Sequence, residues 1–170
     1  MYYKRVLSKD MFTDRTELFN QVADDVIKDF VSSGIAVYLP AYSLAKQISF
    51  FSKFPDFTFH IFASECMEAY VQDNLHINPL SDKYMISLIE SSGCISSAGF
   101  ESNAEALYLK KPLICIPIKK QYEQYCNAAA LKKLGVTILS DLSFSGINMW
   151  LKNKKPLPRL SVFTADDFAS

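Results

Sequence analysis

Gly93-Cys94-Ile95-Ser96-Ser97-Ala98-Gly99-Phe100-Glu101-Ser102-Asn103-Ala104-Glu105-Ala106-Leu107 passes from an apolar run, through small residues, into a helical pattern. The same passage occurs elsewhere in the chain. Downstream, the apolar run Pro112 to Ile116 precedes a helical stretch from Glu123 to Leu134, which Gly135 ends. The run Val136 to Leu139 then precedes a helix from Phe144 to Leu151. Upstream, Ile35 to Leu39 precedes a helix capped by Ser43, with Leu44, Ala45, Ile48, Phe51 and Phe54 inward. Phe57 to Phe62 and Asn74 to Asn78 read as further strands, with a short amphipathic piece from Ser64 to Val71 between them. Ser81 caps a helix over Asp82 to Ser91. Apolar strands alternating with helices predict an α/β fold: a Rossmann-like, doubly wound parallel sheet of about six strands, covered on both faces. Ligands of such sheets bind beyond the carboxyl ends of the strands, where the strand order reverses.

Three segments follow from this pattern. Residues 1–33 form a lead-in with an amphipathic helix over Glu17 to Phe30, which bridges to another domain or shields a sheet edge. Residues 34–152 form the sheet domain, and residues 153–170 a tail rich in Pro and Lys. In the tail, Lys152, Lys154, Lys155 and Arg159 fit either a solvated end or a contact with anionic lipid.

The 170 residues are 49% hydrophobic and 21% charged, which is globular composition and excludes a disordered chain. Eighteen Lys+Arg balance eighteen Asp+Glu, which argues against nucleic acid as the main partner. The apolar runs are too short to span a bilayer. Met1-Tyr2-Tyr3-Lys4-Arg5 lacks the apolar stretch of a secretory signal. Cys66, Cys94, Cys115 and Cys126 form no Cys-x-x-Cys pair and stand far in sequence from His60 and His76, which argues against a zinc site. Cys94 and Cys115 fall in strand-like runs and read as buried, reduced core residues. The expected location is cytoplasmic, with a peripheral contact at the inner membrane face as a further option.

Small side chains at Ser97, Ala98 and Gly99 would let an anion reach backbone N–H groups. The start of the helix that follows adds roughly half a positive charge. A single glycine makes neither a dinucleotide fingerprint nor a P-loop, so the turn also reads as an ordinary strand-to-helix connection. Glu101 and Glu105 share a helix face. Glu105 is either solvated or turned into the cleft to accept bonds from a diol such as ribose, at about 1.5–3 kcal/mol each. In the second turn, Lys119 and Lys120 suit phosphate, and Glu123 and Gln124 suit sugar hydroxyls; a solvated basic turn is the alternative.

The ordered series Gly99-Phe100-Glu101, Glu105-Ala106-Leu107, Lys111-Pro112, Ile116-Pro117, Gln121, Glu123-Gln124 and Asn127-Ala128 closely resembles the C-terminal, donor-binding half of GT-B glycosyltransferases. The likeness is best to the branch of UDP-glycosyltransferases and the peptidoglycan GlcNAc transferase. It runs more weakly from about Ile35 to Leu142. It implies a nucleotide-sugar site, UDP-linked, that moves a sugar to an acceptor hydroxyl.

By position, Gly99 and the N–H groups after it correspond to the diphosphate turn, with Ser102 and Asn103 as helix-start donors. Glu105 corresponds to the ribose glutamate, and Glu123 and Gln124 to the pair that contacts the sugar. Ile77 falls where the family packs uracil. Ser97 replaces a histidine common in relatives, and Pro40-Ala41-Tyr42-Ser43 replaces a Gly-rich turn after the first strand.

The acceptor half, which usually supplies the base, has no counterpart in these residues. The resemblance therefore implies a partner domain or a separate acceptor-half subunit, with this half inactive alone. It assigns no catalytic base. With no Asp-x-Asp motif, it also implies that no metal cofactor is used. A nucleotide-sugar 2-epimerase-like domain and a non-enzymatic nucleotide-binding or scaffolding module are the alternatives.

Overall fold

The structure, a computed structural model, describes residues 34–157. The helix expected over Glu17 to Phe30 and the tail residue Arg159 lie outside those residues. The described strands are β1 (Ile35–Tyr38), β2 (Phe59–Ala63), β3 (Tyr70–Gln72), β4 (Leu75–Pro79), β5 (Gly93–Ser96), β6 (Leu113–Cys115) and β7 (Thr137–Ile138). The helices are α1 (Leu44–Phe51), α2 (Lys83–Glu90), α3 (Glu101–Tyr108), α4 (Tyr122–Lys133) and α5 (Phe144–Asn153).

The seven strands form one sheet in the order β3-β4-β2-β1-β5-β6-β7. Every pairing is parallel except that of β3 with β4. Strand order reverses between β1 and β5, so the ligand position of a doubly wound sheet lies above the ends of these two strands. Burial on both faces explains the apolar character of the strands. Ile35, Val37, Ile61, Ile95 and Ile114 face α1 and α5, packing with Phe51, Ile147, Trp150 and Leu151. Ala36, Cys94, Leu113 and Cys115 face α2, α3 and α4, packing with Tyr84, Leu88, Ala106, Ala128 and Leu131. Each fully buried Leu, Ile or Phe contributes about 1.5–3 kcal/mol.

The amphipathic piece expected over Ser64 to Val71 is instead the way into a hairpin. Its end joins β3, which pairs Tyr70 with Ile77 and Gln72 with Leu75. Asp73 takes a left-handed conformation at the reversal, φ 52°, as Asp does more readily than most residues. The Asn74 amide fixes the far side of the turn by donating to the carbonyls of Phe54 and Phe57 at 3.0 and 2.8 Å. Helix α2 begins at Lys83, with Asp82 at its N-cap position in place of the expected Ser81. Gly135, at φ +88°, turns the chain after α4 into β7. Leu157 anchors the start of the tail: it is buried against the α2–α4 face, and its N–H donates to Lys110 O at 3.2 Å.

Lys111 closes the C-terminal end of α2. Its ammonium donates to Ile89 O at 2.6 Å and Ser91 O at 2.7 Å, carbonyls that a helix end leaves unpaired. Burial lowers its pKa, so the site holds a partly desolvated cation on two strong acceptors. Lys111→Met keeps the stem and removes the donors. The expected loss is about 1.5–3 kcal/mol of unfolding free energy by urea titration; no change would show that water replaces the ammonium without cost.

Candidate functional site

The end of β5 is tied to the end of β1 by Ser97 N donating to Tyr38 O at 3.2 Å. Past this point the β5–α3 turn is shaped by one buried side chain. Asn103 donates from Nδ2 to Ser97 O at 2.8 Å and Gly99 O at 2.5 Å. Its Oδ1 accepts from Ser96 Oγ at 2.5 Å and from the Cys115 thiol at 3.4 Å. Both amide donors are thus spent inside the turn, and any contact of Asn103 with a ligand runs through its backbone N–H.

A second amide joins this turn to the loop after β6. Gln124 Oε1 accepts from Ala98 N at 3.1 Å and Ile118 N at 2.9 Å. Asn127 Nδ2 donates to Ala98 O at 3.0 Å. Gly99 needs no special backbone freedom, because its φ is not positive. An added Cβ would meet only Ser97 Oγ, at 3.8 Å, among the described residues.

The helix N-termini at this end of the sheet differ between the two faces. Helix α1 is capped within the chain: Leu44 N donates to Glu65 Oε2 at 3.1 Å and Lys46 N to Ser43 Oγ at 3.4 Å. Helix α5 is capped by Ser143 Oγ, which accepts from Gly146 N at 3.3 Å. The N-cap residues of α2, α3 and α4 make no side-chain capping bond. The positive end of the α3 dipole borders the β5–α3 turn.

Glu105, half-buried one turn into α3, lies on the side of α2. Its carboxylate is near enough to Tyr84 and Cys94 to raise both groups' pKa. Tyr84 is held well above the usual tyrosine value, chiefly by burial, then by Cys94 and Glu105, while Ser102 opposes the rise. The Tyr84 hydroxyl and the Cys94 sulfur are 3.5 Å apart. Burial pushes Cys94 up to about 11 and Cys115 up to about 12, so neither is a thiolate nucleophile near neutral pH. All four cysteines are free thiols, with Cys126 alone exposed.

The structure thus brings together Ser97, Gly99, Ser102, Asn103, Glu105 and Gln124. Glu123 stands exposed in the first turn of α4. Ile77 is elsewhere: it is fully buried in β4 and paired by β2 on one side and β3 on the other. Its side chain lies in the core layer with Phe51, Phe59 and Ile61, so it offers no exposed surface for a base to pack against. Among the described residues, no three His, Cys, Asp or Glu side chains gather as a metal site, and no helix is long and apolar enough to cross a membrane.

Sequence reasoning missed Asp141, beyond β7. It accepts from Tyr42 Oη at 2.5 Å and Leu142 N at 2.8 Å through Oδ1, and pairs with Lys119 Nζ at 2.8 Å through Oδ2. The signal was available, since Asp141 follows a strand at the ligand-bearing end of the sheet.

The sequence profile of the family described as glycosyl transferase family 1 matches residues 14–155. No curated protein sequence matches significantly. Among solved structures, the chain is similar to the glycosyltransferase SnogD from Streptomyces nogalater, with TM-score 0.52 and 21% identity over 65% of this chain and 31% of that one. It is similar to the spinosyn rhamnosyltransferase SpnG, with TM-score 0.54 and 16% identity over 74% of this chain and 39% of that one. The solution structure of ALG13 matches with TM-score 0.52 and 16% identity, over 74% of this chain and 89% of ALG13. The chain therefore spans about a third of the length of SnogD and nearly all of ALG13. At these identities the likenesses establish the fold, the Rossmann-like sheet of GT-B glycosyltransferases. The profile match over most of the sequence carries the assignment: the chain belongs to glycosyl transferase family 1.

Proposed function

We propose that this chain is the donor half of a glycosyltransferase, binding a nucleotide-diphosphate sugar, UDP-linked, whose sugar passes to an acceptor hydroxyl. The observation that carries the reading is the β5–α3 turn. It sits at the strand-order reversal, has only Ser97 Oγ among the described residues within 4 Å of a Cβ placed on Gly99, borders a helix whose N-cap residue makes no side-chain capping bond, and belongs to a chain of this family. The diphosphate lies over Gly99 and the first turn of α3, and Glu105 takes the ribose hydroxyls. Asn103 and Gln124 hold the turn in shape. Negative charge that develops on the leaving diphosphate is stabilised by the fixed N–H groups and dipole of α3, with no metal needed. SpnG has been solved with thymidine diphosphate, so the base is the part of the donor most in need of testing.

The acceptor half is a second domain or a separate subunit, and transfer requires it. ALG13, matched over 89% of its length, shows that a domain of about this extent exists as a solved structure by itself. Peripheral association of the basic tail with an anionic membrane would place the site near a lipid-linked acceptor. Of the tail lysines, Lys154 is partly engaged, with its ammonium 5.7 Å from the Phe57 ring centroid.

Isothermal titration with UDP, UDP-GlcNAc, GDP and TDP, with and without EDTA, tests the reading. UDP is expected to bind equally well in both conditions. Glu105→Ala is expected to weaken it about tenfold or more. Absence of binding to every nucleotide favours a scaffolding module, and unchanged affinity in the variant removes Glu105 from the site.

A further inference from the structure

We propose that Tyr42, Lys119 and Asp141, drawn together from three loops, form the wall that reads the sugar of the donor. The inference rests on the donor reading and adds to it the residues that select the sugar. The clasp joins the loops after β1, β6 and β7 at the carboxyl end of the sheet, through the Asp141 contacts described above. It is continuous with the diphosphate turn. Gln124 Oε1 holds Ala98 N and Ile118 N on a single oxygen, and Lys119 is the next residue.

Direction follows from Glu105. A diphosphate over Gly99 has two ends. The ribose end runs along α3 toward Glu105, which lies on the side of Tyr84 and α2. The other end, carrying the sugar, leaves away from α2, toward the loop after β6 and the clasp.

The clasp is also rigid where its loop lacks glycine. Tyr42 N donates to Leu39 O at 3.1 Å, and the buried Gln47 donates to Leu39 O and Tyr42 O at 3.2 and 2.8 Å. Tyr42 is therefore fixed through its backbone from below and through its hydroxyl by Asp141.

What remains unspent is suited to hydroxyl groups. Lys119 uses one of three ammonium protons on Asp141. The Asp141 carboxylate uses three of about four acceptor positions. The Tyr42 oxygen, which also lies beside the Leu142 N–H, keeps one further acceptor position. An ammonium beside a carboxylate offers adjacent donor and acceptor, the pattern that discriminates the orientation and substitution of neighbouring sugar hydroxyls.

The test separates sugar from nucleotide. UDP, UDP-glucose, UDP-N-acetylglucosamine and UDP-glucuronate are titrated into the full chain and into its Asp141→Ala and Tyr42→Phe variants, with melting curves as a check on folding. UDP affinity is expected to stay within about twofold. The ratio of UDP-sugar to UDP affinity is expected to change about fivefold or more for at least one sugar, and Asp141→Glu is expected to restore part of it. Ratios that stay constant across all four ligands overturn the proposal and leave the donor reading intact. Equal weakening of UDP and every UDP-sugar overturns it too, because the clasp would then be acting on the nucleotide or the fold. A wild-type chain that binds none of the four overturns the donor reading and the clasp's role together.

Discussion

Gly99→Val is expected to weaken UDP about thirtyfold, a loss of roughly 2 kcal/mol, while the melting temperature moves by no more than about 2 °C. Most glycines at strand-to-helix turns serve the fold, through a positive φ or a close packing contact, and their replacement costs stability first. Gly99 has neither constraint. A Cβ there meets only Ser97 Oγ, at 3.8 Å, among the described residues. The branched valine side chain would then occupy the space over the first N–H groups of α3, where the diphosphate is proposed to sit. Calorimetric titration and a melting curve on the same preparation check both halves of the expectation. Retained affinity would place the nucleotide elsewhere; lost stability would return Gly99 to a purely structural role.

Asn103→Leu is expected to do the opposite and damage the fold first. The side chain is 2% exposed and makes four hydrogen bonds, to Ser96, Ser97, Gly99 and Cys115. Leucine is close in size and satisfies none of them. It removes the donor to the buried Ser97 carbonyl and to the part-buried Gly99 carbonyl, and leaves the Ser96 hydroxyl only the Cys115 sulfur as a partner. The expected cost is about 3–4 kcal/mol by urea unfolding, the upper range for a broken buried polar network. A cost below about 1 kcal/mol would mean that the turn is held by packing alone. The pair of variants separates the two properties of the site, with Gly99 giving access and Asn103 giving shape.

The alternation of apolar runs and helical stretches carried the sheet and its helices because burial on both faces leaves a pattern local to each element, as in Ile35-Ala36-Val37 and Cys94-Ile95. The hairpin was not visible. Tyr70-Val71-Gln72 is exposed along its whole length, so no core side imprints a period on it, and pairing with β4 alone defines it as a strand. At the site, the turn from Ser97 to Glu105 could be read because its residues are contiguous. Asp141 was legible only as a residue beyond a strand end: its contact with Tyr42 spans 99 positions, and nothing near Asp141 in sequence marks the partner. Asn103 and Gln124 illustrate a different limit. A polar residue at a motif position can serve the ligand directly or serve the loop that meets it, and only the hydrogen-bond partners decide between these. Ile77 shows the same ambiguity for apolar residues, since its sequence context fits a base-stacking surface as readily as the core position it occupies.

Of the strands that end the sheet, β7 with two residues is its shortest, and β3 with three is matched only by β6 among the rest. A sheet border offers unpaired amides to any extended chain that drifts alongside, and its capacity as a template grows with every residue of length. Borders this brief offer too few rungs to hold a stranger in register. Assembly into fibrils by edge-on stacking is thereby discouraged at both described margins, although the interior strands are mostly apolar and would be adhesive if laid bare.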